Sequence, residues 1–327
     1  MAQRTHYYNT DADKTQYSTT NPNYDNNIDS LTTRDYYSEY HGHLIPHLQH
    51  VVNELKNTTD DNNPRPTIYL IGDSSMDNKY WLPNNRMRKA INGYENINGF
   101  KRMKPDVAYF VNKYCKESKV INDHFCVNAA IEESTLNDRP GDHLMSHDEF
   151  VRDNIQPEDI LICSLGGNDI ALKPTCGTIF NIAMLLKLNT YNMIDSGWSF
   201  GLGHFINLFK NETTKYLNKV CSKNKPKIIL VNTIYYLDEK KGGSWADNTL
   251  NILGYNDNPE KLQLCIRKIF EYATSQIKID GVKVIPVPMY EILNGKDTKD
   301  YVARVEPSVQ GGDKLGKAFV EYIENAV

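Results

Sequence analysis

The chain is predicted to adopt an α/β fold, a three-layer αβα sandwich built around a five-stranded parallel sheet. Two features predict it. From about residue 65 onward, short apolar runs rich in β-branched residues alternate with segments of helical periodicity. The runs are apolar almost throughout, as strands are when helices cover both faces of a parallel sheet.

The five predicted strands are, in chain order, residues 67–73, 119–130, 158–169, 225–236 and 282–291. Predicted helices occupy residues 106–116, 146–155, 205–223, 258–277 and 311–327. Ser146, with Glu149 three residues later, matches a capping box and sets the predicted start of the second of these helices.

Residues 1–63 are predicted to form a polar N-terminal extension, and residues 64–327 the α/β domain. The extension carries one predicted helix in residues 41–56, beginning near Pro46, because proline favours a first helical turn. Residues 1–40 contain seven tyrosines but almost no aliphatic residues, so they cannot build a core of their own. They form either a disordered leader or an arm whose tyrosines pack against a protein partner.

Composition limits the functional classes. The net charge of −4 gives no reason to expect binding to nucleic acid or to an anionic membrane. No run of about 20 apolar residues predicts a membrane span, and the first residues lack the apolar core of a secretion signal. The six cysteines occur singly, and the histidines near residue 45 have no carboxylate or cysteine to complete a site, so no metal or cofactor is predicted. Unpaired thiols favour the reducing cytoplasm.

The chemistry is predicted at the carboxyl ends of the strands, where ligands bind in open parallel sheets. Ser74 follows the first strand, Ala130 ends the second and Asn168 ends the third. A serine beside backbone and side-chain N–H donors suits acyl transfer. Ser74 is therefore the candidate nucleophile. The backbone N–H groups of Ser74 and Ala130 and the Asn168 amide are the candidate oxyanion hole.

These strand ends resemble the GDSL/SGNH hydrolase superfamily. Residues 72–74 are G-D-S, residues 166–169 are G-G-N-D and residues 128–130 are N-A-A, which match the family's G-D-S, G-x-N-D and N-x-G blocks with alanine for the last glycine. The resemblance covers roughly residues 65–327. It implies a flavodoxin-like sheet, and a serine hydrolase that takes a small-molecule ester or acyl ligand and needs no cofactor.

The sequence departs from the family in the last block, D-x-x-H-P, whose histidine is the base for the serine. Here Ala303 takes the place of the aspartate and Glu306 that of the histidine. Glu306 is the candidate base, although the reference pKa of a glutamate lies about two units below that of histidine. Arg304 nearby is expected to lower the pKa of Glu306 further. The alternative is a histidine that reaches the pocket from elsewhere, namely His124, His143, His147 or His204.

Three further features have two interpretations each. Asp77 and Asn78 either cap a helix, the favoured interpretation, or bind substrate. Glu132 and Glu133 either line the pocket entrance or form a solvated pair at a helix start. Residues 178–210, which combine aromatic residues with glycines, form either a lid over an acyl pocket or ordinary core.

Two functions agree with this sequence. One is a serine ester hydrolase with an altered base, acting on acyl or acetyl esters. The other is a catalytically inactive descendant that serves as a structural or ligand-binding component of a larger assembly. The retained serine and G-G-N-D block favour the first function, and the missing histidine and aspartate favour the second.

Overall fold

The structure, a computed structural model, describes residues 28–56 and 64–327. The strands of these residues are, in chain order, β1 (Thr67–Gly72), β2 (Arg88–Lys89), β3 (Arg102–Met103), β4 (Phe125–Asn128), β5 (Ile160–Ser164), β6 (Ile228–Asn232), β7 (Lys283–Val287), β8 (Tyr301–Val302) and β9 (Glu306–Pro307). The α-helices are α1 (Thr33–Tyr36), α2 (Ile45–Lys56), α3 (Val107–Glu117), α4 (Ser146–Asn154), α5 (Gly167–Ala171), α6 (Cys176–Lys187), α7 (Tyr191–Asp195), α8 (Leu202–Ile206), α9 (Thr213–Val220), α10 (Asp247–Ile252), α11 (Pro259–Tyr272), α12 (Met289–Ile292) and α13 (Val309–Glu324).

The central sheet has five parallel strands in the order β4-β1-β5-β6-β7. Numbered by their sequence within the sheet, this is the order 2-1-3-4-5 of flavodoxin-like folds. The predicted fold class is therefore confirmed, with each strand inside its predicted range. The predicted ranges were too long because they included residues of the loops that flank each strand at both ends.

Both faces of the sheet are covered, as the continuous apolar runs predict. Side chains of α2, α4, α9 and α11 form one buried cluster with one face of the sheet, for example around Tyr69 and Ile71. Side chains of α3 and α13 form a second cluster on the opposite face, around Ile68 and Leu70. The period-two alternation within β1 thus divides its side chains between the two cores.

Two local predictions need correction. The residue before helix α4 is Met145 rather than Ser146, and its N–H donates to the Asp148 carboxylate at 3.0 Å. Asp148 lies three residues after Met145, as Glu149 lies three residues after Ser146, so the helix is capped one residue earlier than predicted. The predicted helix 205–223 is divided by a π-helical segment, Asn207–Glu212, which separates α8 from α9.

The described part of the N-terminal extension packs on the α/β domain. Leu31, Tyr36 and Leu48 are buried and belong to the same cluster as the sheet. The predicted helix is α2, which starts at Ile45, one residue before Pro46. Most of the predicted arm, residues 1–27, lies outside the described residues. Its described tyrosines contact the α/β domain, since the Tyr36 ring lies 5.1 Å from that of Phe100 and the Tyr40 ring 4.5 Å from that of Tyr80, measured between centroids.

Candidate active site

The turn that carries Ser74 depends on the glycine before it. Gly72 ends β1 with φ of +131°, and a Cβ at this position would lie 1.8 Å from the Ser164 carbonyl oxygen of β5. Only glycine allows this approach. The next N–H, that of Asp73, donates to the same carbonyl at 3.0 Å. The glycine of the G-D-S block thus fixes the nucleophile turn against the neighbouring strand.

A polar network lies directly beside Ser74. The Asp73 carboxylate accepts hydrogen bonds from the Ser75 N–H at 3.0 Å and the Ser75 hydroxyl at 2.7 Å. The Ser75 hydroxyl also lies 2.7 Å from that of Ser164. Burial raises the pKa of Asp73 to about 6. This network holds residues 73–75 in one conformation.

The structure brings Ser74 and Glu306 together. The Ser74 hydroxyl donates to Glu306 Oε1 at 3.3 Å, and both side chains are buried. Glu306 lies in β9, which pairs with β8, and the Asn78 amide donates to the Pro307 carbonyl at 2.9 Å. The glutamate at the position of the family's histidine therefore lies within hydrogen-bond distance of Ser74.

The electrostatic surroundings of Glu306 favour its protonated form. Burial raises the pKa of Glu306 to about 8. This value already includes a lowering by the hydrogen bond from Ser74 and a smaller raising by the charges of Asp73, Asp77 and Glu133. The expected effect of Arg304 is not present, because its guanidinium binds Asp247 at 2.7 Å instead. A buried carboxyl with this pKa is suited to accept a proton only above neutral pH.

The three candidate oxyanion donors differ in their bonding. The Asn168 side-chain amide donates to the Ser134 carbonyl at 3.2 Å, and the Ala130 N–H donates to the Asn128 side chain at 3.1 Å. The Ser74 N–H has no hydrogen-bond acceptor among residues 28–56 and 64–327. One donor is thus open, and the other two are engaged within the protein.

None of the candidate histidines bonds to Ser74, whose hydroxyl has Glu306 as its hydrogen-bond partner in the described part of the chain. Their positions are as follows: His124 bonds to Asp123, His147 to the His43 carbonyl, His204 to Thr178, and His143 is exposed. The structure therefore supports Glu306 rather than a histidine from elsewhere as the group next to the nucleophile.

Asp77 joins three parts of the chain instead of capping the helical turn that follows it. Its side chain makes no capping bond; it accepts from the N–H groups of Gly42 at 2.8 Å and Glu132 at 3.0 Å, and pairs with buried Lys79 at 2.6 Å. The favoured prediction of a cap is therefore wrong for Asp77. Asn78 does cap a helix, since its Oδ1 accepts from the first N–H of α3, that of Val107, at 3.2 Å.

Glu132 is buried, so the alternative of a solvated pair with Glu133 is wrong for it. Its Oε1 accepts from the Trp81 indole N–H at 3.1 Å, and burial raises the pKa of Glu132, with the charge of Glu306 as the next cause. Glu133 has a left-handed φ of +61° and accepts from the Tyr40 hydroxyl at 3.0 Å. Its hydrogen bond to His41 lowers the pKa of Glu133.

A deep apolar pocket opens beside Ser74. Its cavity volume is about 110 Å³. Ser74, Asn168 and Glu306 contribute its polar part. Helices α6, α8, α10 and α11 contribute part of its apolar walls, for example Ile182, Leu185, Phe205, Leu250, Leu262 and Ile266. The arrangement fits a ligand with an apolar chain and one polar reacting group.

Residues 178–210 were predicted to form either a lid over an acyl pocket or ordinary core, and neither prediction describes all of them. Ile182, Leu185 and Phe205 line the pocket, as a cover over an acyl site would. Trp198 and Phe200 are exposed, with 85% and 58% of their surface accessible, and belong to no core. Trp245 lines the pocket mouth. The sequence did not indicate the walls from α10 and α11; the apolar face of residues 258–277 is the signal, but it does not distinguish a pocket wall from a core.

Within the described ranges, no group of three or more histidine, cysteine or acidic side chains is arranged to hold a metal ion. No helix of those ranges is long and apolar enough to cross a membrane.

The G-D-S, N-A-A and G-G-N-D blocks lie at the carboxyl ends of the parallel strands β1, β4 and β5, which are neighbours in the sheet. The strand order of the sheet is the predicted one. Ser74, Asn168 and Glu306 line one pocket at that edge. The chain has a GDSL/SGNH hydrolase-like fold. No family model matches the sequence, and no curated protein matches it.

Several solved structures are similar to this fold. A lipase from goat rumen metagenome has 12% identity and a TM-score of 0.45, covering 78% of this chain and 96% of its own. A carbohydrate acetylesterase from Sinorhizobium meliloti has 13% identity and a TM-score of 0.40, covering 80% and 100%. An acetylxylan esterase from Geobacillus stearothermophilus has 14% identity and a TM-score of 0.40, covering 79% and 94%.

Proposed function

We propose that this chain is a serine ester hydrolase that acts on esters with an apolar acyl group, with Ser74 as nucleophile and Glu306 as base. The observation that carries the proposal is the hydrogen bond from the Ser74 hydroxyl to Glu306 Oε1, at 3.3 Å, beside the apolar pocket. A nucleophile and a base within hydrogen-bond reach are the minimum for covalent acyl transfer.

The proposed reaction has two steps. Ser74 Oγ attacks the ester carbonyl carbon while its proton passes to ionised Glu306, and the carbonyl electron pair moves to oxygen. Collapse of this intermediate breaks the bond to the alcohol, which takes the proton back from Glu306; water then repeats the cycle on the acyl-enzyme. The open Ser74 N–H is the first donor to the developing oxyanion. The Asn168 amide and the Ala130 N–H join it by exchanging their internal acceptors for the oxyanion.

A catalytically inactive ligand-binding protein is the second candidate. Two of the three oxyanion donors are engaged by protein acceptors, and a buried glutamate with a pKa of about 8 is mostly protonated at neutral pH. Such a protein would keep the apolar pocket and lose turnover. A protein partner for the arm is also a proposal, and it now concerns residues 1–27, since residues 28–40 pack on their own domain. All six cysteines are free thiols, which fits the cytoplasm we propose.

Fluorophosphonate labelling read by intact mass tests the proposal. The reagent phosphonylates an activated serine, so wild type at pH 9 should gain one adduct and Ser74→Ala none. Ser222→Ala, a change at an exposed serine, is the matched control and should label as wild type does. Glu306→Gln should slow labelling by about 10²–10⁴-fold, the usual contribution of a general base. Equal labelling of Ser74→Ala would overturn the serine mechanism, and no labelling of folded wild type would favour the inactive protein.

A further inference from the structure

We propose that Glu132 and Glu306 form a carboxyl pair in which neutral Glu132 donates a hydrogen bond to ionised Glu306, so that Glu132 is the positioning residue for the base. The proposal rests on the proposed function for its catalytic meaning. The existence of the pair rests on the structure alone and is tested separately below.

The Asp77-Asn78 dipeptide is hydrogen-bonded to both of the segments that carry the two glutamates. The Glu132 N–H donates to the Asp77 carboxylate at 3.0 Å. The next side chain, Asn78, donates to the carbonyl of Pro307, the residue after Glu306, at 2.9 Å. Two loops that are far apart in sequence are thereby fixed to consecutive residues of the nucleophile loop.

Each glutamate has one satisfied and one unsatisfied oxygen. Glu132 Oε1 accepts from the Trp81 indole, and Glu306 Oε1 accepts from Ser74. Oε2 of each is buried and has no hydrogen-bond donor in the described residues. Buried polar atoms are nearly always paired. Two neighbouring carboxylates lack donors as long as both are ionised, and a single proton between them satisfies both oxygens.

The nearby charged side chains do not take the place of this shared proton. Lys79 is the buried cation near Glu132, and it is already paired with Asp77 at 2.6 Å. The other charged groups that act on the pair are the carboxylates of Asp73, Asp77 and Glu133, each of which disfavours a second negative charge. In this environment the pair ionises once before it ionises twice, as carboxyl dyads do.

The singly ionised pair solves a chemical problem of the site. Glu306 needs its charge on Oε1 to accept the Ser74 proton, but burial opposes that charge. A neutral Glu132 carboxyl that donates to Oε2 stabilises the charge without adding another. When Glu306 takes the Ser74 proton and later gives it to the alcohol, Glu132 keeps its own proton throughout, so the cycle balances.

The pH profile of fluorophosphonate labelling tests the positioning role. Wild type should label with a rise centred near pH 8, following the ionisation of Glu306. Glu132→Gln keeps an N–H donor for Glu306 and an acceptor for Trp81, so its profile should stay near that of wild type. Glu132→Leu removes the donor, and its rise should move up by about one to two pH units, the effect of losing a hydrogen bond to a charged group.

Trp81→Phe is the control for a merely structural role. It removes the indole hydrogen bond to Glu132 but leaves the carboxyl proton, so the midpoint of its profile should be that of wild type. If Glu132→Leu and wild type share one midpoint, or if Trp81→Phe shifts as Glu132→Leu does, the positioning role is refuted.

Infrared spectroscopy tests the pair without any need for activity or for a stable Glu132→Leu protein. At pH 9, wild type and Glu306→Gln should show the stretch of a buried protonated carboxyl, and Glu132→Gln should lack it. Asp73, with a pKa of about 6, and Asp106, with a pKa of about 7, are ionised at that pH and do not contribute. A spectrum unchanged by Glu132→Gln would refute the pair. The band should also change frequency in Glu306→Gln, where the acceptor of the Glu132 proton is altered, and an unchanged frequency would refute the pair. A band that shifts in this way, without any labelling of Ser74, would support the pair and refute the hydrolase.

Discussion

Stability against pH gives a test of the Glu306 environment that needs no substrate. The pKa of Glu306 is raised to about 8 in the folded chain, mainly by burial. In the unfolded chain a glutamate has a pKa of about 4.3. The folded state therefore binds the proton more tightly. The stability that this group contributes is complete below about pH 4 and falls as pH rises to about 8.

The size of the effect follows from the shift. A difference of between three and four pKa units, at about 1.4 kcal/mol each, sets an upper limit of about 5 kcal/mol on the free energy of unfolding lost by pH 9. Relaxation around a buried charge reduces it, so we expect about 2–4 kcal/mol. Glu306→Gln has no proton to lose and should escape this part of the loss, so it should gain stability relative to wild type as pH rises from 5 to 9.

Urea unfolding followed by circular dichroism at pH 5, 7 and 9 measures the difference. Other groups titrate in the same window, among them Asp73 and Asp106, but they are common to both proteins and cancel. Glu321→Gln, at an exposed position of α13, is the matched control and should run parallel to wild type. Parallel curves for wild type and Glu306→Gln would show that Glu306 titrates as an ordinary glutamate and would refute the reasoning.

Two further predictions concern the turn and the pocket. Gly72→Ala should destabilise the fold by about 3 kcal/mol or more in urea unfolding, because its Cβ would lie 1.8 Å from the Ser164 carbonyl oxygen at a φ of +131°. Gly141→Ala is the control. Gly141 has a φ of +56° but no atom within 4 Å of an added Cβ, so this change should lower the free energy of unfolding by only about 1 kcal/mol. A loss of the same size in both variants would contradict the steric argument. Leu253→Trp fills part of the pocket from a partly exposed wall position, so it should lower kcat/KM for octanoyl esters at least about tenfold relative to acetyl esters. An equal effect on both esters in a p-nitrophenyl ester assay would show that the acyl chain does not bind there.

The fold could be predicted from the sequence because each strand is marked by a short run of neighbouring residues. Runs such as residues 67–72 and 160–164 are apolar throughout and end in glycine or small polar residues, so both the strand and its end can be read from a short window. The position of Ser74 follows, since the carboxyl ends of parallel strands meet at one edge.

The parts that were missed depend on contacts between distant segments. Asp77 looks like a helix cap from its neighbours alone, but the N–H groups of Gly42 and Glu132 reach its carboxylate from far along the chain. Glu132 beside Glu133 looks like a solvated pair, yet the Trp81 indole reaches its carboxyl and buries it. No local pattern marks such a side chain, because its burial is decided by which loops meet there.

The burial of Glu306 also bears on how a glutamate can occupy the position where the family has histidine. A neutral histidine accepts a proton at pH 7 without prior ionisation, whereas a glutamate must first bear a charge in a buried site. Arg304 would lower the pKa of Glu306 if it lay beside it, but the left-handed turn at Ala303 and Arg304 directs the guanidinium to Asp247. Because Arg304 does not lie beside it, Glu306 keeps its raised pKa. Its carboxylate is therefore a stronger base than that of an ordinary glutamate, and closer to a histidine in basicity. In the proposed mechanism, the burial that delays the ionisation of Glu306 therefore also makes the ionised carboxylate a stronger base toward Ser74.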